Sequence, residues 1–288
     1  MPVVVVTDSS SRLPAGIVEH YRMGVVPLHL SLDGVDYREG VDDIPDDLLT
    51  SPGVTTSGAN PHDLGEVFGE AVEASEGAGV VAVMMSRRLS GTWSAARLAA
   101  EKYPGLIRVV DSRSVGLAVG FAAIAAAQAA EAGADRDRAY EAAIRQAATI
   151  ESLIAVQQLD NLRNSGRISA ASRLLGSALS IKPILALDDG MLVLRDRHRT
   201  FSKAITRLVE TAVEFADGRA VTLGIQHCQA PEAATELAGE LRSKLRVVTS
   251  QLTVDLGPIL GSHIGPGAVG ASLTTHLDSI PGADVIPE

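Results

Sequence analysis

Three apolar runs limit what this chain can fold into: Val3-Val4-Val5-Val6, Val80-Val81-Ala82-Val83-Met84-Met85 and, with one charge, Leu106-Ile107-Arg108-Val109-Val110. None alternates with polar residues as a strand with one wet face would, so each reads as a strand covered on both sides. Each run also stops in hydroxyls and acids: Thr7-Asp8-Ser9-Ser10-Ser11, then Ser86 to Ser90, then Asp111-Ser112-Arg113-Ser114. Residues of helical composition follow each polar turn. Strand, polar loop and helix in repetition predict an α/β fold with a mostly parallel sheet and helices on both faces. The polar loops would then gather at the carboxyl ends of the strands, where open α/β sheets bind ligands.

Between these runs the chain predicts a helix over 13–23 with Pro14 near its first turn, and one strand over 25–32 that Pro27 pushes toward a sheet edge. Asp33-Gly34 marks a hairpin. An acidic, turn-rich stretch with a short helix near 45–49 follows, then a loop of hydroxyls over 54–61, in which Asn60-Pro61 reads as the cap and first residue of a helix through Glu73. Two Ala-rich helices occupy 116–132 and 136–149. Beyond them the texture changes. A strand over 153–157, a short helix ending in a glycine turn at Gly166, a helix over 170–180 and a hairpin around Asp188-Asp189-Gly190 come next. Helices over 202–215 and 230–242 then alternate with strands over 220–227 and 247–254. A second α/β lobe with a mixed sheet is therefore expected, with lobes at 1–150 and 151–288.

Composition excludes several functions. Apolar residues make up 46% of the 288 and charged residues 21%, the balance of a globular protein. Aromatic residues are only 3%, so Ala, Val, Leu and Ile must build the core. A net charge of −10 argues against general nucleic-acid binding. The one cysteine, Cys228, fits a reducing cytoplasm, and packing is the expected role of His227-Cys228 at a strand end. No export signal is visible ahead of Val3, and the apolar stretch 118–132 is too short to span a bilayer. A soluble cytoplasmic protein is expected. Gly265-Pro266-Gly267-Ala268-Val269-Gly270 matches G-x-G-x-x-G, but a strand rather than a helix follows, so no dinucleotide site is expected. No P-loop lysine motif and no metal-ligand spacing occur, so neither a metal nor another cofactor is expected.

The chemistry concentrates in Ser86-Arg87-Arg88-Leu89-Ser90-Gly91-Thr92-Trp93. Hydroxyls between a buried strand and a helix start can cap the helix, or can offer donors to an anion together with the free amides. Thr56, Ser57, Ser112 and Ser114 sit in comparable loops, while Arg167 in a glycine turn and His263 in a loop add donors suited to a carboxylate or phosphate. The competing reading is a serine acyl hydrolase with Ser90, Asp111 and His263 in the order of α/β-hydrolases. Leu89-Ser90-Gly91 lacks the leading glycine of that nucleophile turn. A basic run against the net charge, Arg195, Arg197, His198, Arg199, Lys203 and Arg207, is either a solvated face or a docking patch for an acidic partner.

Five short motifs in order resemble those of the DegV family of fatty-acid-binding proteins. Thr7-Asp8-Ser9-Ser10 is similar to its opening motif and Thr56-Ser57-Gly58-Ala59-Asn60-Pro61 to its T-S-Q-P-S-P loop. Leu89-Ser90-Gly91-Thr92-Trp93 resembles L-S-G-T-Y, Ser165-Gly166-Arg167-Ile168-Ser169 resembles G-G-R-I-S, and His263-Ile264-Gly265-Pro266-Gly267 resembles H-x-G-P-G. The resemblance implies two α/β lobes with a long-chain fatty acid buried inside. It implies that Thr56 and Ser90 bind the carboxylate, with Ser57, Gly91, Thr92, Arg167 and His263 as head-group neighbours. It also implies a binding protein rather than an enzyme. Such a protein presents the fatty acid to a separate fatty acid kinase for acyl-phosphate formation that feeds phospholipid synthesis. Arg195, Arg197, Arg199, Lys203 and Arg207 would form the docking patch, and lipid exchange would involve transient membrane contact. Gly58-Ala59-Asn60 in place of Q-P-S, Trp93 in place of Tyr and Ser165 in place of Gly depart from the pattern.

Overall fold

The three apolar runs lie side by side in a computed structural model that describes residues 3–45, 48, 51–168 and 181–284. Strands β1 (Val4–Asp8), β2 (Gly24–Val26), β6 (Val80–Met84) and β7 (Ile107–Asp111) form a wholly parallel sheet in the order β2-β1-β6-β7. Every residue of β6 is fully buried, as a run without alternation requires of a strand covered on both faces. Helices α1 (Ala15–His20), α2 (Pro61–Ala74), α3 (Thr92–Ala100), α4 (Leu117–Glu131) and α5 (Arg136–Ala147) accompany this sheet. Asn60 caps α2, its Oδ1 accepting from the amides of His62 and Asp63 at 2.9 Å. Asp135 caps α5 in the same way.

The second sheet has six strands, β8 (Glu151–Ala155), β9 (Lys182–Asp188), β10 (Met191–His198), β11 (Ala220–His227), β12 (Val247–Asp255) and β13 (Val269–Thr274). Their order is β10-β9-β8-β13-β11-β12, antiparallel except for the parallel pair β11 and β12. The mixed sheet expected from the sequence is thus observed. Asp189 and Gly190, with φ of 43° and 79°, make the β9–β10 turn. Helices α6 (Asp160–Ser165), α7 (Phe201–Ala216), α8 (Pro231–Lys244) and α9 (Gly257–Ile264) belong to this half. Helix α7 packs against β8, β9, β10 and β13, and α8 against β11, β12 and β13.

Helix α4 joins the halves, touching β1 and β6 on one side and β11 and β13 on the other. That explains its Ala-rich composition, for residues 117–124 are buried all round. Leu117, Ala118, Val119, Phe121, Ala122 and Ala123 are all fully buried. Small residues let the layers close. A Cβ on Gly224 would come within 2.8 Å of Leu117 Cδ1 and 2.9 Å of the Phe121 ring.

Four sequence expectations need correction. The strand expected over 25–32 is two strands separated at Pro27-Leu28: β2 at the edge of the parallel sheet, and β3 (His29–Leu32) in a separate three-stranded antiparallel sheet with β4 (Val35–Arg38) and β5 (Thr55–Ser57). Proline supplies no N–H to continue the ladder, so the chain leaves one sheet and enters the next. The hydroxyl loop therefore contains β5, with Thr56 paired to Leu30. The helix expected over 13–23 is limited to α1. His263 lies in the last turn of α9 and not in a loop. The helices expected over 45–49 and 170–180, and Ser169 of the fourth motif, lie outside the described residues in whole or in part.

Candidate functional site

The polar turns after β1, β6 and β7 are laced together at one edge of the parallel sheet. The buried Asp8 carboxylate accepts from the Met85 amide at 2.7 Å and from the Ser10 amide at 3.1 Å. Burial pushes this carboxyl above its usual range, and the bonds from Ser10 and Met85 oppose that rise. The Ser86 amide donates to Ser114 O at 2.9 Å, and its hydroxyl donates to Gly190 O at 2.7 Å across to the β9–β10 turn. Ser86 thereby ties the turn before α3 to the second half. Ser112 and Ser114 are buried and bond to each other, and neither lines the cavity described next.

Where this edge meets the three-stranded sheet and the six-stranded sheet lies a cavity of about 840 Å³, counted to its open mouth. Its walls are aliphatic: Leu153 and Ile154 from β8, Leu187 and Leu192 from the β9–β10 hairpin, and Ile259 and Leu260 from α9. Thr56, Ser57, Ser90, Arg167 and His263 also line it. Outside lies a polar cleft lined by Gln158, Asn161, Asn164, Ser165 and Ser262, and it shares Thr56, Arg167 and His263 with the apolar cavity. These three residues mark the boundary between an oily interior and a wet exterior.

The hydroxyls at this boundary are interlocked. Thr56 Oγ1 lies 2.8 Å from His263 Nε2. Ser90 Oγ lies 2.9 Å from Thr92 Oγ1 and accepts from the Thr92 amide at 3.3 Å, while the Ala59 amide donates to Thr92 Oγ1 at 3.2 Å. Gly91 occupies the cap position of α3 without a side-chain bond, so neither Ser90 nor Thr92 caps the helix in the usual manner. A Cβ at Gly58 would approach Thr92 Oγ1 to 2.7 Å and Ser90 Oγ to 2.9 Å. The glycine at this departure from the family pattern lets the Thr56 strand close onto Ser90. The other departure, Trp93, is flanked by the guanidinium groups of Arg87 and Arg97 at 5.4 and 5.2 Å.

Arg167 follows the left-handed Gly166 that ends α6, and Ile168 bridges to Leu192 of β10, which fixes the arginine beside the cavity wall. Its guanidinium donates to Ser165 O at 2.5 Å and has no acidic partner among the described residues. Burial, and then the Arg167 charge, push the His263 imidazole down to about 4. It is therefore neutral near pH 7. The sign of the linkage is definite: between about 6.5 and 4 the unfolded chain binds a proton that the folded chain rejects. Stability conferred by neutral His263 is complete above that window and lost as pH falls through it. Denaturant titrations of ligand-free protein should show His263→Asn losing about 2 kcal/mol less than wild type between pH 7 and pH 4. Identical pH profiles for the two would contradict this assignment.

Asp111 does not complete a triad. Its carboxylate lies 3.2 Å from Arg87 Nε and accepts from the Arg113 amide at 3.1 Å, while the ring partner of His263 is Thr56. Burial, with Asp255 beside it, pushes the Cys228 thiol up to about 12, as befits an inert packing residue. Of the basic run, Arg195, Arg197, Arg199 and Lys203 are exposed. Arg207 instead meets three carboxylates, Glu214 at 3.2 Å, Glu210 at 3.3 Å and Asp196 at 3.5 Å. No helix among the described residues is long and apolar enough to cross a membrane.

Comparison with known proteins bears on the whole chain. A model of an uncharacterised DegV family matches residues 2–276. A DegV domain-containing protein of Mycobacterium tuberculosis is 45% identical over 270 residues, which covers 94% of this chain and 96% of that one. Among solved structures, a fatty-acid-binding DegV family protein from Thermus thermophilus is 30% identical with a TM-score of 0.89, over 96% of this chain and 100% of its own. DegV of Bacillus subtilis, a fatty-acid-binding protein, is 28% identical with a TM-score of 0.85, over 96% and 99% respectively.

Proposed function

The chain belongs to the DegV family, and we propose that it binds a long-chain fatty acid with the acyl chain in the aliphatic cavity and the carboxylate at its mouth. One observation carries the reading: an arginine without an acidic partner among the described residues stands beside hydroxyls where an oily cavity opens into a polar cleft. Thr56 and Ser90 hold the carboxylate. Ser57, Arg167 and His263 surround it, with Gly91 and Thr92 supporting Ser90 from behind the cavity wall, Arg167 supplying the opposite charge and neutral His263 orienting Thr56. Burying about fifteen methylenes at ~0.8 kcal/mol each yields roughly 12 kcal/mol before ordering costs. The tail therefore supplies most of the affinity, and the head-group residues set direction.

A carboxylate held at a wet boundary is accessible to a second protein. The chain acts as a cytoplasmic carrier that offers the carboxylate to a separate fatty acid kinase and itself performs no catalysis. Arg195, Arg197, Arg199 and Lys203 form the docking patch, with Arg207, already paired to three carboxylates, at its margin; it starts on β10, the strand whose Leu192 walls the cavity. Native mass spectrometry of protein purified from cells should show one co-bound fatty acid per chain, and an empty protein indifferent to added lipid would sink the reading. With a cognate kinase and ATP, reversing charge in Arg197→Glu/Arg199→Glu should impair acyl-phosphate formation while fatty acid binding persists. Unimpaired phosphorylation would remove the patch from the account.

A further inference from the structure

Part of the cavity wall is polar where an alkyl chain needs only carbon. Ser152 on β8 and Gln226 on β11 both line the cavity. Both bond to one buried hydroxyl, that of Ser272 on β13: Gln226 Nε2 donates to Ser272 Oγ at 3.0 Å, and Ser152 Oγ lies 2.9 Å from it. The other end of the string is anchored at the start of α4, where the Leu117 amide donates to Gln226 Oε1 at 2.7 Å. Gly116, with φ of 70°, permits that approach, because a Cβ there would run into Gln226 Oε1. The anchor settles the amide orientation: Oε1 accepts and Nε2 donates.

Counting protons leaves a surplus. Nε2 carries two, and Ser272 accepts one. The two serine hydroxyls share a single bond, so whichever donates, one O–H is left over. Among the described residues neither surplus proton has an acceptor. Gln226 is only 5% exposed, so bulk water does not serve it. An unsubstituted acyl chain in this cavity leaves buried donors unpaired, and a site with committed polar groups discriminates against ligands that cannot pair them.

We propose that Ser152 and Gln226 form a second recognition point that selects fatty acids bearing an oxygen along the chain, a hydroxyl or keto group that accepts from them. The proposal rests on the fatty-acid reading above, and its test separates the two. Delipidated protein is titrated with stearate and with a positional series of hydroxystearates. At least one isomer should bind about tenfold more tightly than stearate, equivalent to about 1.4 kcal/mol. In Ser152→Ala, which takes the serine hydroxyl off the cavity wall and leaves only that of Ser272, which does not line the cavity, that preference should shrink below about threefold and stearate itself should bind more tightly than to wild type. Melting temperatures of the two proteins report whether the variant is folded, and Ser152→Val offers a second substitution if it is not. No isomer exceeding stearate, or a preference that survives Ser152→Ala, overturns the proposal. So does a stearate complex in which an ordered water bridges Ser152 and Gln226 while hydroxystearates gain nothing. Failure of stearate and every isomer to bind would instead sink the fatty-acid reading.

Discussion

Arg167→Met should weaken binding of a long-chain fatty acid by about 2 kcal/mol, a loss of about thirtyfold. The reason is local. Among the described residues the guanidinium has no acidic partner, and it sits where the apolar cavity opens into the polar cleft. A carboxylate placed there gains charge-assisted bonds in partly desolvated surroundings, and truncating one partner leaves the other uncompensated. The methyl ester of the same fatty acid carries no charge and should lose little, because tail burial is unchanged. Arg167→Lys should fall between, since it keeps the charge without the planar fork. Titration calorimetry on delipidated protein measures all three. Equal losses for acid and ester would show that the substitution had damaged the cavity and not the head-group contact.

The largest stability effect is expected far from the ligand, at Glu39. Its carboxylate, 2% exposed, accepts from Ser9 Oγ at 2.6 Å and from the Ile259 amide in the first turn of α9 at 3.3 Å, and it pairs with Arg12 at 3.3 Å. Burial raises its pKa, and the Arg12 charge opposes that rise. Gly257, with φ of 72°, is packed so closely here that a Cβ would lie 2.6 Å from Arg12 Nη1 and 2.7 Å from Glu39 Oε1. This cluster pins the start of the helix that carries His263. Glu39→Leu orphans three donors at once and should cost about 3 kcal/mol, near the lower end for breaking a buried pair because Arg12 is partly exposed. The melting temperature should fall by about 6–12 °C in a chain of this size. A change of less than about 2 °C would mean that α9 is held by its apolar contacts alone.

The parallel sheet was legible because Val3 to Val6 and Val80 to Met84 carry no polar residue that could face water, and the third run carries only Arg108. Turns were legible for an equally direct reason: Asp33-Gly34 and Asp189-Gly190 adopt positive φ, which few other pairs tolerate. What stayed hidden depended on contacts distant in the chain. Helix α9 contains Gly257, Pro258, Gly261 and Ser262, a composition that argues for a loop. It forms because Glu39 receives one of its first amides and Asp255 receives the Gly257 amide at 2.7 Å. Strand β5 is three residues long and exists only as the partner of β3. Hydroxyls and charges in loops pointed to Thr56, Ser90, Arg167 and His263. The depressed pKa of His263 could not be foreseen, because its cause is burial beside Arg167, nearly a hundred positions earlier in the chain. Gln226, Ser272 and Ser152 gave no signal either. In strands of apolar residues, one amide and two hydroxyls read as ordinary interruptions until three strands bring them together.

A crystal structure of this protein with a bound long-chain fatty acid tests the central claim most directly. The account predicts a carboxylate within hydrogen-bond distance of Ser90 Oγ and Thr56 Oγ1, facing Arg167, with the acyl chain running inward between Ile154, Leu187, Leu192 and Leu260. A carboxylate at the Ser152–Gln226 wall, or a chain lying outside this cavity, would contradict it.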